Sequence, residues 1–147
     1  MVLAGCDLCD NVGGLLLRQT PEFRVVLVQG ADALAYSGFC RVIWNAHVKE
    51  MTDLPQNAQL QLFSAVLAVE KLLRDVFKPH KINLASLGNM TPHLHWHIIP
   101  RYENDATFPN PVWVAASKSD TVLRPDFASS YDEKIRLLQL KINALNF

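Results

Sequence analysis

An excess of charge of either sign is missing from this sequence: Lys plus Arg number 14, Asp plus Glu number 14, and the formal net charge at pH 7 is zero. A protein that tracks along DNA or RNA carries a basic surplus, so that class is set aside. A compact anion site built from a few residues is not, because net charge says nothing about local clusters. Long apolar runs are missing too. The best helical stretch, Leu60 to Phe77, is interrupted by Ser64, Glu70, Lys71, Arg74 and Asp75, far from the uninterrupted span of about 18 apolar residues that crosses a membrane. Cysteine is scarce. Three residues, Cys6, Cys9 and Cys40, are too few and too odd in number for a secreted disulfide scaffold. Leu3-Ala4-Gly5-Cys6 imitates a lipoprotein cleavage box, but neither a basic nor an apolar segment precedes it. The expectation is a reduced, cytoplasmic protein with no membrane partner and no repeats or low-complexity tracts.

What is present is apolar material. Half of the 147 residues are hydrophobic and 19% are charged, enough for one packed interior, and the length is that of a single domain. Residues 1–20 read as loop, with a short apolar run from Leu15 to Leu17. Phe23 to Val28 and Phe39 to Trp44 read as strands, paired through a hairpin whose loop includes Gly30 and Asp32. Thr52-Asp53-Leu54-Pro55 signals a helix start. Leu62, Val66, Val69, Leu73 and Val76 follow on one face, and Phe63, Leu67 and Phe77 widen it. Such a helix lies on a sheet and keeps apolar surface for a partner subunit; Pro79 ends it. Ile82 to Leu87 and His93 to Ile99 read as further strands, separated by the turn Gly88 to Pro92 and closed by Pro100. Ser129 or Ser130 then caps a last helix with Ile135, Leu138, Ile142 and Leu145 on one stripe. The class is α+β around an antiparallel sheet.

The chemistry concentrates in His93-Leu94-His95-Trp96-His97-Ile98-Ile99-Pro100. Strict alternation on a strand puts His93, His95 and His97 on one face and sends Leu94, Trp96 and Ile98 to the core. Same-face neighbours stand about 6.5–7 Å apart and the outer pair about 13 Å apart. Metal–nitrogen bonds are about 2.0–2.1 Å, so one metal held by all three is disfavoured. A row of imidazoles suits an extended anion such as a polyphosphate, with imidazole as hydrogen-bond donor, general acid or nucleophile. Cys6-Asp7-Leu8-Cys9 has the two-residue spacing of a zinc knuckle; two reduced cysteines packing a loop is the alternative. Cys40 reads as a small buried strand residue.

His-Leu-His-Trp-His-Ile-Ile-Pro-Arg resembles the defining motif of the histidine triad (HIT) family, His-x-His-x-His-x-x with apolar residues at x. The order of strand pair, His47-to-Leu54 segment, long helix and strand-turn before His93 is also similar, over residues 6–105, leaving 106–147 as a C-terminal extension. The resemblance implies a HIT-like fold: about five antiparallel strands, one long helix packed on them and a C-terminal helix. It implies a homodimeric nucleotide hydrolase or nucleotidyl transferase that cleaves at the α-phosphate of nucleoside polyphosphates or phosphoramidates. Diadenosine polyphosphates and adenosine phosphoramidates are the substrate classes, with no cofactor needed for catalysis. By the same resemblance His95 is the nucleophile, and His97 binds phosphate or sits near the leaving group. His93 orients its neighbours or the phosphate. Asn89 supplies an amide to phosphate, the turn ending at Thr91 adds N–H donors, and Gln29 meets ribose. Some members hold structural zinc with a set that maps here to Cys6, Cys9, His47 and His93. The chain departs from relatives at Phe39, where many have histidine, at Trp44-Asn45, where a proline is common, and at Met90, where phosphoramidases carry serine. Those departures keep open a nucleotide-binding module without turnover. The segment Phe108 to Trp113 reads as a lid or rim over the site, or as packing on the sheet edge.

Overall fold

The computed structural model describes residues 2–115 and 129–147. Five strands, β1 (Leu15–Gln19), β2 (Phe23–Leu27), β3 (Cys40–Trp44), β4 (Lys81–Ala85) and β5 (His95–Arg101), form one antiparallel sheet in the order β1-β2-β3-β5-β4. Short helices α1 (Asp7–Asp10) and α2 (Ala31–Ala35) precede β1 and β3. A 3-10 turn at Met51–Asp53 leads into the long α3 (Gln56–Phe77), and α4 (Tyr131–Asn143) closes the chain. The expected strands are present with their ends shifted by one or two residues. β1 is the addition, in a stretch read from sequence as loop. Its signal is weak because only Leu17 is buried while Leu15 and Leu16 face solvent, and a bulge between Leu16 and Arg18 breaks the alternation. Gly14 makes its entry possible: a Cβ there would lie 2.4 Å from the Leu27 carbonyl oxygen, an approach only glycine allows. Residues 116–128, which hold Pro125 of the C-terminal extension, lie outside the described residues.

One sheet face carries the main core. Phe23, Val25 and Leu27, then Cys40, Val42 and Trp44, then Leu94 and Ile98, all buried, pack against Leu62, Val66, Val69, Leu73 and Val76 of α3. This is the stripe that the 4, 3, 4, 3 spacing predicted. Leu138 and Ile142 of α4 complete the core. α3 stops at Phe77 because Lys78 takes a left-handed conformation (φ 49°), donating its N–H to the Arg74 carbonyl just before Pro79. The solvent side of α3 carries Glu70–Arg74 and Lys71–Asp75 pairs.

The opposite face is smaller and mixed. Cys6 and Leu8 cover Val26 and Ile43, while Tyr36, Phe39 and Ala106 cover Val28 and Ile99. Three arginines, Arg24 on β2, Arg41 on β3 and Arg101 on β5, alternate with these residues on the same face. Arg24 ties down the N-terminal segment, donating to the carbonyls of Leu8, Asn11 and Val12 and to Asn45 Oδ1. Arg101 anchors the loop after β5. It is paired to Asp105 at 2.7 and 3.0 Å, both side chains 2% exposed, and also donates to Asn83, Thr107 and the Asn110 carbonyl. β5 runs through Pro100 to Arg101, two residues past its expected end, because pairing with β3 stops at Ile98 and proline removes no donor from that side. Asp105 also accepts the N–H groups of Tyr102, Thr107 and Phe108. Replacing Asp105 by Ala strands a buried guanidinium, so D105A is expected to lose about 3–5 kcal/mol of unfolding free energy in a urea titration.

Candidate active site

β5 delivers two of the three histidines to the mixed face, and both are buried. His95 and His97 are each 6% exposed, with ring centroids 4.7 Å apart. His95 Nδ1 lies 2.5 Å from the backbone carbonyl oxygen of His93. A carbonyl only accepts, so Nδ1 carries the proton and the lone pair sits on Nε2. Burial lowers the His95 pKa, with the charge of Arg41 acting in the same direction against the Nδ1–H bond that favours protonation. His97 is pushed down to about 3, first by burial and then by the charges of His95 and Arg41. Its ring lies tilted against Phe39 and edge-on against Trp113, each at 5.6 Å, and its Nδ1 is buried without a hydrogen-bond partner among the described residues. His97 is therefore neutral at physiological pH, able to donate or accept but not cationic, and His95 beside it has a directed Nε2 lone pair whose protonation burial disfavours.

The third histidine goes elsewhere. An exposed row of three imidazoles, expected from the alternation, is not what forms. β5 starts at His95, so His93 lies before it, 1% exposed and turned toward the N-terminal cysteines. The cause is a backbone acceptor. His93 Nε2 donates to the Trp44 carbonyl at 2.6 Å, which leaves Nδ1 as a bare lone pair 3.4 Å from Cys6 Sγ and 3.5 Å from Cys9 Sγ. His47 Nδ1 completes the group 3.6 Å from Cys9 Sγ, and the four donor atoms lie within 4.8 Å of one another. A tetrahedron with Zn–S bonds of about 2.3 Å and Zn–N bonds of about 2.0–2.1 Å has sulfur–nitrogen edges of about 3.5–3.6 Å, close to the separations seen. The tautomer of His93 and the donor chemistry both fit a metal at that point.

Other expected residues are dispersed. Thr91 lines a hollow with Cys6, His47 and Met90, so it belongs with the cysteine cluster. Asn89 is exposed on the turn. Gln29 opens on a hollow shared with Leu15, Ala33, Leu34 and Tyr131, which none of the histidines lines. The Phe108-to-Trp113 segment does meet the site, through Trp113 on His97. His80 is a surface residue beside Glu103, and Trp96 packs partly buried against Phe63 on the core side, as the alternation predicted. Arg41 was not singled out by the sequence reading. It faces His97 across the β3–β5 register, with its guanidinium 5.6 Å from the Phe39 ring centroid. Its signal was available: a charged residue at the inward alternate of an otherwise apolar strand.

The HIT domain family model matches residues 22–104, more than half of the chain. The chain belongs to the HIT family. Among HIT structures, the histidine triad protein of Bradyrhizobium japonicum superposes with a TM-score of 0.69 at 26% identity, covering 89% of this chain and 92% of that one. The one from Marinobacter aquaeolei gives 0.71 at 22%, covering 97% and 99%. A Zn-bound histidine triad family protein of Mycobacterium smegmatis gives 0.61 at 18%, covering 95% and 94%. The AP-4-A phosphorylase of Mycobacterium tuberculosis is 27% identical over 77 residues, 48% of this chain and 40% of that protein. The chain thus spans well under half of that relative's length.

Neutral His97 also bears on stability. Its folded pKa of about 3 lies below the unfolded value of about 6.5, so below pH 6.5 the unfolded chain takes up a proton that the folded one refuses. The stability tied to His97 is present above about pH 6.5 and is lost as pH falls toward 3. Urea titrations at stepped pH are expected to show a shallower acid decline for H97Q than for wild type.

Proposed function

We propose that the His95–His97 cleft cleaves nucleoside polyphosphates or phosphoramidates at the α-phosphate through a covalent nucleotidyl-His95, with adenine nucleotides as substrates. The observation that carries this reading is the bond from His95 Nδ1 to the His93 carbonyl, which orients the ring and leaves Nε2 as the nucleophilic nitrogen. In the first step Nε2 attacks the α-phosphorus. The N–P bond forms as the bond from phosphorus to the leaving group breaks, and that group departs with the electron pair, taking a proton from solvent. In the second step water attacks the same phosphorus and the P–N bond breaks. The water proton passes to solvent, the nucleoside monophosphate leaves, and the imidazole lone pair is restored. His97 acts as a neutral N–H donor to a non-bridging oxygen; its depressed pKa disfavours an imidazolium acid. Trp113, 54% exposed, is the aromatic rim on which a base stacks. The likeness to an AP-4-A phosphorylase supports a nucleotide substrate.

Cys6, Cys9, His47 and His93 are assigned to a structural zinc ion, which would tie residues 6–9 to the sheet; a Zn-bound relative of the same fold supports it. Leu60, Phe63 and Leu67, 64%, 40% and 44% exposed on α3, form the apolar face assigned to a second copy, as the family resemblance implies.

The test is turnover of dinucleoside polyphosphates and adenosine phosphoramidates, followed by mass spectrometry. Wild type is expected to release AMP and, after an alkaline quench, to carry a nucleotidyl adduct on the protein. H95A should lose both, with turnover down by at least about a thousandfold; near wild-type turnover in H95A would sink the assignment. AMP binding without turnover in wild type would favour a binding module instead. For the metal, C9S is expected to drop from about one zinc per chain to near none by elemental analysis, with a lower melting temperature. Unchanged metal content would overturn that assignment.

A further inference from the structure

Three arginines share the histidine face, and two of them are fully engaged. Arg24 is saturated by the carbonyls of the N-terminal segment and by Asn45. Arg101 is neutralised by Asp105 and donates to three further groups. Arg41 differs. Among the described residues its guanidinium makes no hydrogen bond, and no carboxylate lies within 4.0 Å of it. Its Nε is shielded from solvent without a partner. Asp32 on α2 is the carboxylate whose charge it feels, at longer range. Its only ring contact among those residues is the face of Phe39, which holds it beside His97 rather than letting it swing into solvent.

That leaves an unmatched, permanent cation next to two buried imidazoles. An arginine keeps its charge, and the strand register sets it directly opposite His97 and diagonal to His95. Its five-donor fork matches phosphate oxygens in a bidentate manner. Phosphates beyond the one under attack bring several negative charges into the cleft, which a permanent cation can balance. A phosphoramidate has no such chain. We propose that Arg41 is the receptor for the phosphate chain: it binds the phosphates beyond the α-phosphate and makes nucleoside polyphosphates the favoured substrates over phosphoramidates. This rests on the reading of the His95–His97 cleft as a nucleotide site.

The experiment compares kcat/KM for diadenosine tetraphosphate and adenosine 5′-phosphoramidate in wild type, R41K and R41M, with R41Q replacing R41M if the latter does not fold. The loss in R41M is expected to be larger on the tetraphosphate than on the phosphoramidate by about tenfold or more, and R41K should recover part of the difference. Equal losses on both substrates, or no loss on either, would overturn the proposal. A second arm needs no turnover. Calorimetry with ATP and with AMP is expected to show tighter binding of ATP by wild type and a collapse of that ratio in R41M. If wild type turns over neither substrate but the ratio collapses, the assignment of Arg41 stands and the catalytic reading falls. A ratio that R41M leaves unchanged removes Arg41 from the site.

Discussion

The backbone carbonyl of His93 accepts Nδ1–H from His95, while the His93 imidazole donates Nε2–H to the Trp44 carbonyl and turns its other nitrogen to Cys6 and Cys9. One residue therefore sets three things at once. It closes the end of β3, selects the tautomer of the next histidine, and presents a lone pair to the N-terminal segment. Each consequence follows from acceptor-only carbonyls meeting two-nitrogen rings in a buried place, where an unpaired N–H costs about 1–3 kcal/mol. A cluster of histidines left in solvent would have free choice of tautomer and rotamer. Here the backbone makes the choice.

The sheet separates structure from chemistry by its two faces. The α3 face is apolar throughout and holds the fold together by ordinary packing of Leu, Val and Phe. The other face buries polar groups, which cost free energy unless they find hydrogen-bond partners. Arg24 and Arg101 do this by fastening two non-sheet segments, the cysteine-bearing N-terminus and the loop that brings Trp113 to His97. The first lies against His93 and the second places Trp113 on His97, whose burial is the first cause of its lowered pKa. Site electrostatics thus depend on loops that contribute few core contacts of their own.

Much of this could be read from residue order. The α3 stripe, the β2–β3 pair and the division of Leu94 and Ile98 from His95 and His97 follow from periods of 3.6 and 2, which are local properties of the chain. β1 could not be read, because an edge strand with one buried leucine and a bulge carries no clear alternation. The grouping of Asn89, Thr91 and Gln29 with the histidines could not be tested by spacing either. Thr91 falls beside the cysteines and Gln29 at a different hollow, since turns and strand ends are placed by what they pack against.

The sequence by itself determined the class of fold, the face that histidines at 95 and 97 share, and the two-residue spacing of Cys6 and Cys9; that His47 and His93 join them was implied by the family resemblance. It did so because alternation and motif spacing act within a few residues. Only the tertiary structure decided that the triad divides into two histidines and one. It also decided that Nε2 of His95 holds the lone pair, and that Arg41 stands unpaired among the described residues while its two neighbours are engaged. Those outcomes depend on carbonyls and carboxylates from elsewhere in the chain or on the other side of a turn. Trp44 lies 49 residues from the histidine it binds, and such a partner is set by strand register and burial rather than by local sequence.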